Sequence, residues 1–192
     1  LYQTVYSRLY EYSITDNPVR GVLSFSGFVE GWAYYVENLS YGYAAEVLLE
    51  NGGSEADQVL VQLLCLERNL QINLYCLLDL SIHYYGADQE DVFRSLAAFG
   101  ISDTATADAI YDYIRREPTT YLKYYLSYLE ILSLKEEAQE LWKDQYSDLR
   151  FHTFLLQTGP SDFTNLENRL QAQRPETQSL DVQRLEAQPE QG

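Results

Sequence analysis

The sequence predicts an all-α protein, and three observations carry the prediction. Apolar residues recur at spacings of three and four from end to end. Period-two alternation never persists for the length of a strand. The interruptions fall at residues that start or stop helices. The pattern divides into about seven or eight helices, one of them about thirty residues long.

A first helix is expected over residues 1–13, ended by Asp16-Asn17-Pro18, because proline disfavours helix at the residue before it. A second runs from near Val22 to Glu50 and stops at Asn51-Gly52-Gly53. Ser54 with Asp57 three residues on makes a capping signature for the third and longest helix, which continues to about Tyr85. Gly86 ends it, Asp88 caps a short helix through Phe99, and Ser102 or Asp103 caps another through Arg116. Pro118 suits the first position of a further helix. There Tyr121, Tyr124, Tyr125, Tyr128, Leu129 and Leu132 fall at i, i+3, i+4, i+7, i+8 and i+11, a stripe expected to be buried. Two short helices close the pattern, near 147–157 and 161–171, separated by Gly159-Pro160. From Gln173 to Gly192 the composition turns to Gln, Glu, Pro, Arg and Ser without an aromatic, which cannot offset its ordering entropy by burial, so residues 173–192 read as a disordered tail. Residues 1–172 read as one helical domain, and no repeat is found, since Trp32 and Trp142 have unlike surroundings.

Composition narrows the function. The 192 residues suffice for a core, and 18 tyrosines with 7 phenylalanines supply bulky packing groups. Thirteen basic residues stand against 29 acidic ones, a net charge of −16, which repels phosphate backbones and anionic lipid and argues against nucleic-acid and membrane-surface partners. The apolar runs are broken by Gln62, Glu67, Arg68, Asn69, Gln71, Asn73 and Asp79, so none reaches the ~20 residues of a membrane span. Cys65 and Cys76 lie about 16 Å apart along one helix and cannot bond each other, so they read as small buried hydrophobes. The chain opens on Leu1-Tyr2-Gln3 and contains no methionine, and it reads as a piece of a longer protein, with the compartment left open.

Three places could hold chemistry. In Gly27-Phe28-Val29-Glu30-Gly31-Trp32 a glutamate sits inside an apolar helix beside two glycines, each costing about 1 kcal/mol in a helix interior. A close helix crossing would explain the glycines, and a buried carboxylate there needs a cation such as Arg68 or a metal. Asp79 and His83, four residues apart, share a helix face, where the carboxylate can fix the imidazole tautomer for catalysis or simply form a helix-end pair. His152 lies between Phe151 and Thr153-Phe154 and reads as a core histidine unless a site claims it. Glu30, His83 and His152 together would also suffice chemically for a metal. Serine-nucleophile motifs, phosphate-binding glycine loops and cysteine metal arrays are absent from the sequence.

Phe28-Val29-Glu30-Gly31-Trp32-Ala33 resembles the Glu-Gly-Trp-Ala block of the bacterial proteins of domain-of-unknown-function family 885, regarded as relatives of the zinc-dependent gluzincin peptidases. Three further blocks are similar and in the same order: Asp79 to His83, Pro118 through Tyr124-Tyr125, and Phe151 to Leu156 with Gly159-Pro160. Ser81 and Ser127 stand where many relatives have glycine. The resemblance covers about residues 1–170 and implies a zinc cofactor and a peptide substrate, with Glu30 as a zinc ligand. It implies Tyr124, His152 and His83 as the groups that stabilise the oxyanion, with Asp79 orienting His83. The family's His-Glu-x-x-Pro-Gly-His element, which would bring the other ligands and the general base, is not in this chain, so the upstream part of the same protein is the expected partner. The rival expectation is a non-catalytic helical module that binds protein or peptide, with Glu30 in a structural ion pair.

Overall fold

The structure is a computed structural model that describes residues 22–174. The helix expected over 1–13 with its Pro18 break, and the tail beyond residue 174, lie outside the described residues. Among the described residues the chain is all-α, with seven α-helices and no strand: α1 Ser26–Glu50, α2 Glu55–His83, α3 Gln89–Ala98, α4 Thr104–Arg116, α5 Thr120–Trp142, α6 Asp148–Thr158 and α7 Phe163–Gln171. The chain groups into two compact units, Glu30–Tyr128 and the combination of Leu1–Val29 with Leu129–Gly192.

Local chemistry accounts for the boundaries. α1 ends in a Schellman arrangement, Gly53 N–H donating to Leu48 O at 2.8 Å and Gly52 N–H to Leu49 O at 3.1 Å, with Gly52 at φ +86°, a conformation glycine adopts without steric cost. Ser54 and Asp57 form the expected capping box, the Ser54 N–H donating to the Asp57 carboxylate at 2.8 Å, and α2 runs 29 residues from it. Asp88 and Asp91 repeat the device at α3, and Asp103, not Ser102, caps α4. Two boundaries differ from expectation, the first being α1, which starts at Ser26 and not near Val22. α5 starts at Thr120, two residues after Pro118, because Thr119 turns the backbone at φ +66° and its carbonyl accepts the first helical bond, from Lys123 N–H at 3.1 Å.

Within Glu30–Tyr128, α1 and α2 are tied side by side by polar groups. Tyr34 Oη donates to Asn69 Oδ1 at 2.5 Å, Asn69 Nδ2 donates to Asn38 Oδ1 at 2.8 Å, and Arg68 pairs with Glu37 at 3.0 Å. Two cores follow along α2. Tyr34, Ile72 and Cys76 pack against the α5 tyrosines. Leu74, Leu78 and Ile82 pack against Val92 and Leu96 of α3 and Ala107 and Ile114 of α4. Cys65 and Cys76 are free thiols, as their spacing requires; Cys76 is buried and Cys65 half-buried.

The α5 stripe is less buried than its spacing predicts. Tyr121, Tyr124, Tyr125 and Tyr128 are half-buried and Leu129 is exposed. Tyrosine buries its ring and keeps its hydroxyl among polar groups. Leu129, at roughly 100° per residue, falls about 80° round the helix from Tyr121, at the edge of the stripe.

In the other unit, Ile131, Leu134 and Ala138 of α5 are buried, as are Phe151, Phe154 and Leu155 of α6 and Leu166 and Leu170 of α7. Trp142 meets Phe154 edge-on at 6.1 Å, and the Arg150 guanidinium lies 4.2 Å from the Trp142 ring centre.

Candidate functional site

Glu30 lies in the second turn of α1, half-buried, immediately before Gly31. A Cβ on Gly31 would fall 2.5 Å from Ser127 Cβ and 2.7 Å from the Ser127 carbonyl carbon. The two helices therefore meet backbone to backbone at a small-on-small contact, which is why the glycine is kept despite its helix cost. Tyr124 sits one turn before Ser127 on α5, so the crossing that brings Ser127 to Gly31 also brings the Tyr124 phenol near the Glu30 carboxylate. Burial first, then the negative charge of Glu30, hold the Tyr124 hydroxyl above the ordinary phenol value of 10. Tyr124 thus stays protonated, a donor, throughout the neutral range. The cation expected as the alternative partner goes elsewhere: Arg68 pairs with Glu37.

Asp79 and His83 do meet. Asp79 is buried, 1% exposed, and its Oδ1 lies 2.9 Å from His83 Nδ1. Its Oδ2 accepts the Thr119 backbone N–H at 2.7 Å. Burial would lower the His83 pKa, but the hydrogen bond to Asp79 and the nearby carbonyls of Arg115 and Asp79 outweigh it and raise the value above 6.5. The Asp79 bond to Thr119 was not foreseen. It holds a β-branched residue in the left-handed region, at the turn that launches α5 and so sets where Tyr121 and Tyr124 point.

His152 is half-buried on α6, in the unit that contains Leu129–Gly192. Burial first lowers its pKa, against a raising effect from Asp148. Among the described residues no three His, Cys, Asp or Glu side chains are grouped to hold a metal. Glu30 and His83 are fixed by different neighbours, Tyr124 for the one and Asp79 for the other.

Sequence reasoning missed a pocket of about 540 Å³ in the Glu30–Tyr128 unit, set among α2, α4 and α5. Tyr75, Tyr113 and Tyr121 line it, with Tyr75 and Tyr121 edge to face at 4.7 Å and Tyr113 and Tyr121 at 6.1 Å. Only Tyr121 belonged to a stripe that periodicity could mark; the other two come from helices whose approach is a tertiary event.

A helical chain with a carboxylate beside a glycine crossing and a tyrosine near it is the class that these observations define. The chain belongs to the family of bacterial proteins of unknown function DUF885, which it matches over residues 9–170. It is also similar in fold to the solved structure described as "the putative lipoprotein from Colwellia psychrerythraea", with a TM-score of 0.58 and 22% identity. The match covers 79% of this chain and 24% of that one, so the chain spans about a quarter of that protein's length. No curated protein matches the chain. Among the described residues no helix is long and apolar enough to cross a membrane.

Proposed function

We propose that this chain is the C-terminal part of a zinc-dependent peptidase, that it supplies one zinc ligand, Glu30, and a transition-state donor, Tyr124, and that it is inactive by itself. The observation that carries the reading is the Glu30–Tyr124 pair at the Gly31 crossing, an oxygen donor and a proton donor held together on two helices. An oxygen ligand of this kind fits zinc, and zinc in peptidases takes three protein ligands. The described residues offer one such ligand at this place, so the others must come from outside them. The chemistry such a metal supplies is polarisation of a peptide carbonyl and activation of water. Tyr124, kept protonated, can donate to the oxygen that gains charge on the substrate. His83, held by Asp79, and His152 are the further candidates for that role.

A second observation supports a longer protein as the setting. Val59, Leu63, Leu66, Leu70 and Leu77 follow one another at spacings of four and three along α2, apart from Asn73, and each is about half exposed, 52%, 56%, 65%, 54% and 59%. Such a seam is the pattern of a helix that packs against another helix, and upstream chain of the same protein is the proposed cover. The competing reading, a non-catalytic helical module that binds protein or peptide, draws on one fact: the tyrosine hydroxyl already gives Glu30 a partner.

Zinc content by elemental analysis separates them, measured on this chain and on a version extended upstream by its natural sequence. The peptidase reading expects zinc in the extended protein only, and less of it with Glu30→Gln. If neither protein holds zinc, Glu30 is structural and the binding module is the better account.

A further inference from the structure

The tyrosine pocket has no part in holding Glu30, yet it is joined to the Glu30–Tyr124 pair by one residue. Tyr121 lines the pocket and lies one turn before Tyr124 on α5. The lining contains no charged side chain: Ile110 and Ile114 with Tyr75, Tyr113 and Tyr121 make apolar and aromatic walls, and Ala109 leaves space on the α4 side. A volume of about 540 Å³ lies within the usual range for a ligand pocket. A lysine, arginine, aspartate or glutamate side chain entering it would lose water and find no opposite charge, which disfavours all four. An aromatic ring would meet edges and faces already set at the offsets that ring pairs prefer, as between Tyr75 and Tyr121.

We propose that this pocket receives one large uncharged side chain of a peptide, an aromatic one in preference, and so sets the substrate preference of the site centred on Glu30. The proposal rests on the peptidase reading for its role in catalysis, but the pocket's occupancy can be measured without zinc.

The test is binding of N-acetyl-phenylalaninamide, N-acetyl-glycinamide and N-acetyl-lysinamide to this chain and to the upstream-extended protein, followed by changes in the tyrosine resonances. Ala109 is exposed on α4, so Ala109→Trp fills the pocket without loading the core, and Ala109→Ser serves as its control. The phenylalanine probe is expected to bind about tenfold or more tighter than the other two, the discrimination one large apolar group gives in a pocket. Ala109→Trp should abolish that preference while Ala109→Ser and Glu30→Gln retain it. Equal binding of the three probes, or a preference that survives Ala109→Trp, overturns the proposal. So does a preference seen in this chain but lost in the extended protein, because the pocket is then filled by the protein's own residues. A preserved preference together with zinc-free extended protein upholds the pocket and sinks the peptidase reading alone.

Discussion

Two carboxylates in the Glu30–Tyr128 unit have been given opposite surroundings. Asp79 is 1% exposed and uses both oxygens, one on His83 and one on the Thr119 backbone. Glu30 is half-buried beside a glycine crossing, near the Tyr124 hydroxyl, and among the described residues it forms no ion pair. A buried and saturated acid holds a fold together, since nothing can reach it and removing it strands its donors. A half-open acid with a neutral donor as neighbour remains able to accept a further positive group. The difference separates a carboxylate whose two oxygens are both used from one with accepting capacity left, although both residues looked alike as carboxylates on helices.

The largest expected effect comes from breaking the saturated acid. Asp79→Ala strands the Thr119 N–H and frees a strained turn, and should cost roughly 3 kcal/mol in urea unfolding, whereas Glu30→Gln should cost under about 1 kcal/mol. Similar costs for the two would erase the contrast. Next, Gly31→Ala drives a methyl into the Ser127 backbone and should destabilise by about 1–3 kcal/mol, despite alanine's better helix propensity. A neutral result would mean that the crossing gives way easily and does not set the Glu30–Tyr124 pair.

A smaller effect of opposite sign is expected at Thr119. Glycine accepts φ +66° freely, so Thr119→Gly should raise stability by up to about 1 kcal/mol, read as a higher urea midpoint. Loss of stability there would argue that the turn is not strained and that Asp79 restrains nothing.

The histidines give the smallest effects. His83 binds its proton more tightly folded than unfolded, so its contribution is fully present below 6.5 and is lost as pH rises through its raised folded value. His152 is the reverse: its folded value is lowered, so it costs nothing above 6.5 and destabilises as pH falls through the window below. Each slope should be under about 1 kcal/mol, since His83 is partly exposed. Urea midpoints from about pH 5 to 8 for His83→Gln and His152→Gln should flatten opposite limbs of the profile; a common effect on one limb would refute the assignment.

Much of the fold was readable because it is local. Ser54 with Asp57, Asp88 with Asp91, and Gly52 act within a few residues, so helix ends could be placed to within a few positions. The Asp79–His83 contact was readable for the same reason, as a pair four apart on one helix. Thr119 was not, because nothing in Pro118-Thr119-Thr120 announces a left-handed threonine; Asp79, 40 residues earlier, supplies the bond that holds it. Arg68 showed the same limit from the other side, as a plausible partner for Glu30 that lies beside Glu37 instead.

By itself the sequence determined an all-α chain, its helix ends, its acidic surface and the ordered blocks that mark its family, since these rest on periodicity, caps and composition. Only the tertiary structure decided that Tyr124 meets Glu30, that Asp79 is consumed by Thr119, and that Tyr75, Tyr113 and Tyr121 surround a pocket. Each of those joins helices far apart in the chain. Such contacts depend on where side chains cross when helices pack, here on the absence of a Cβ at Gly31, and a one-dimensional pattern does not encode that distance.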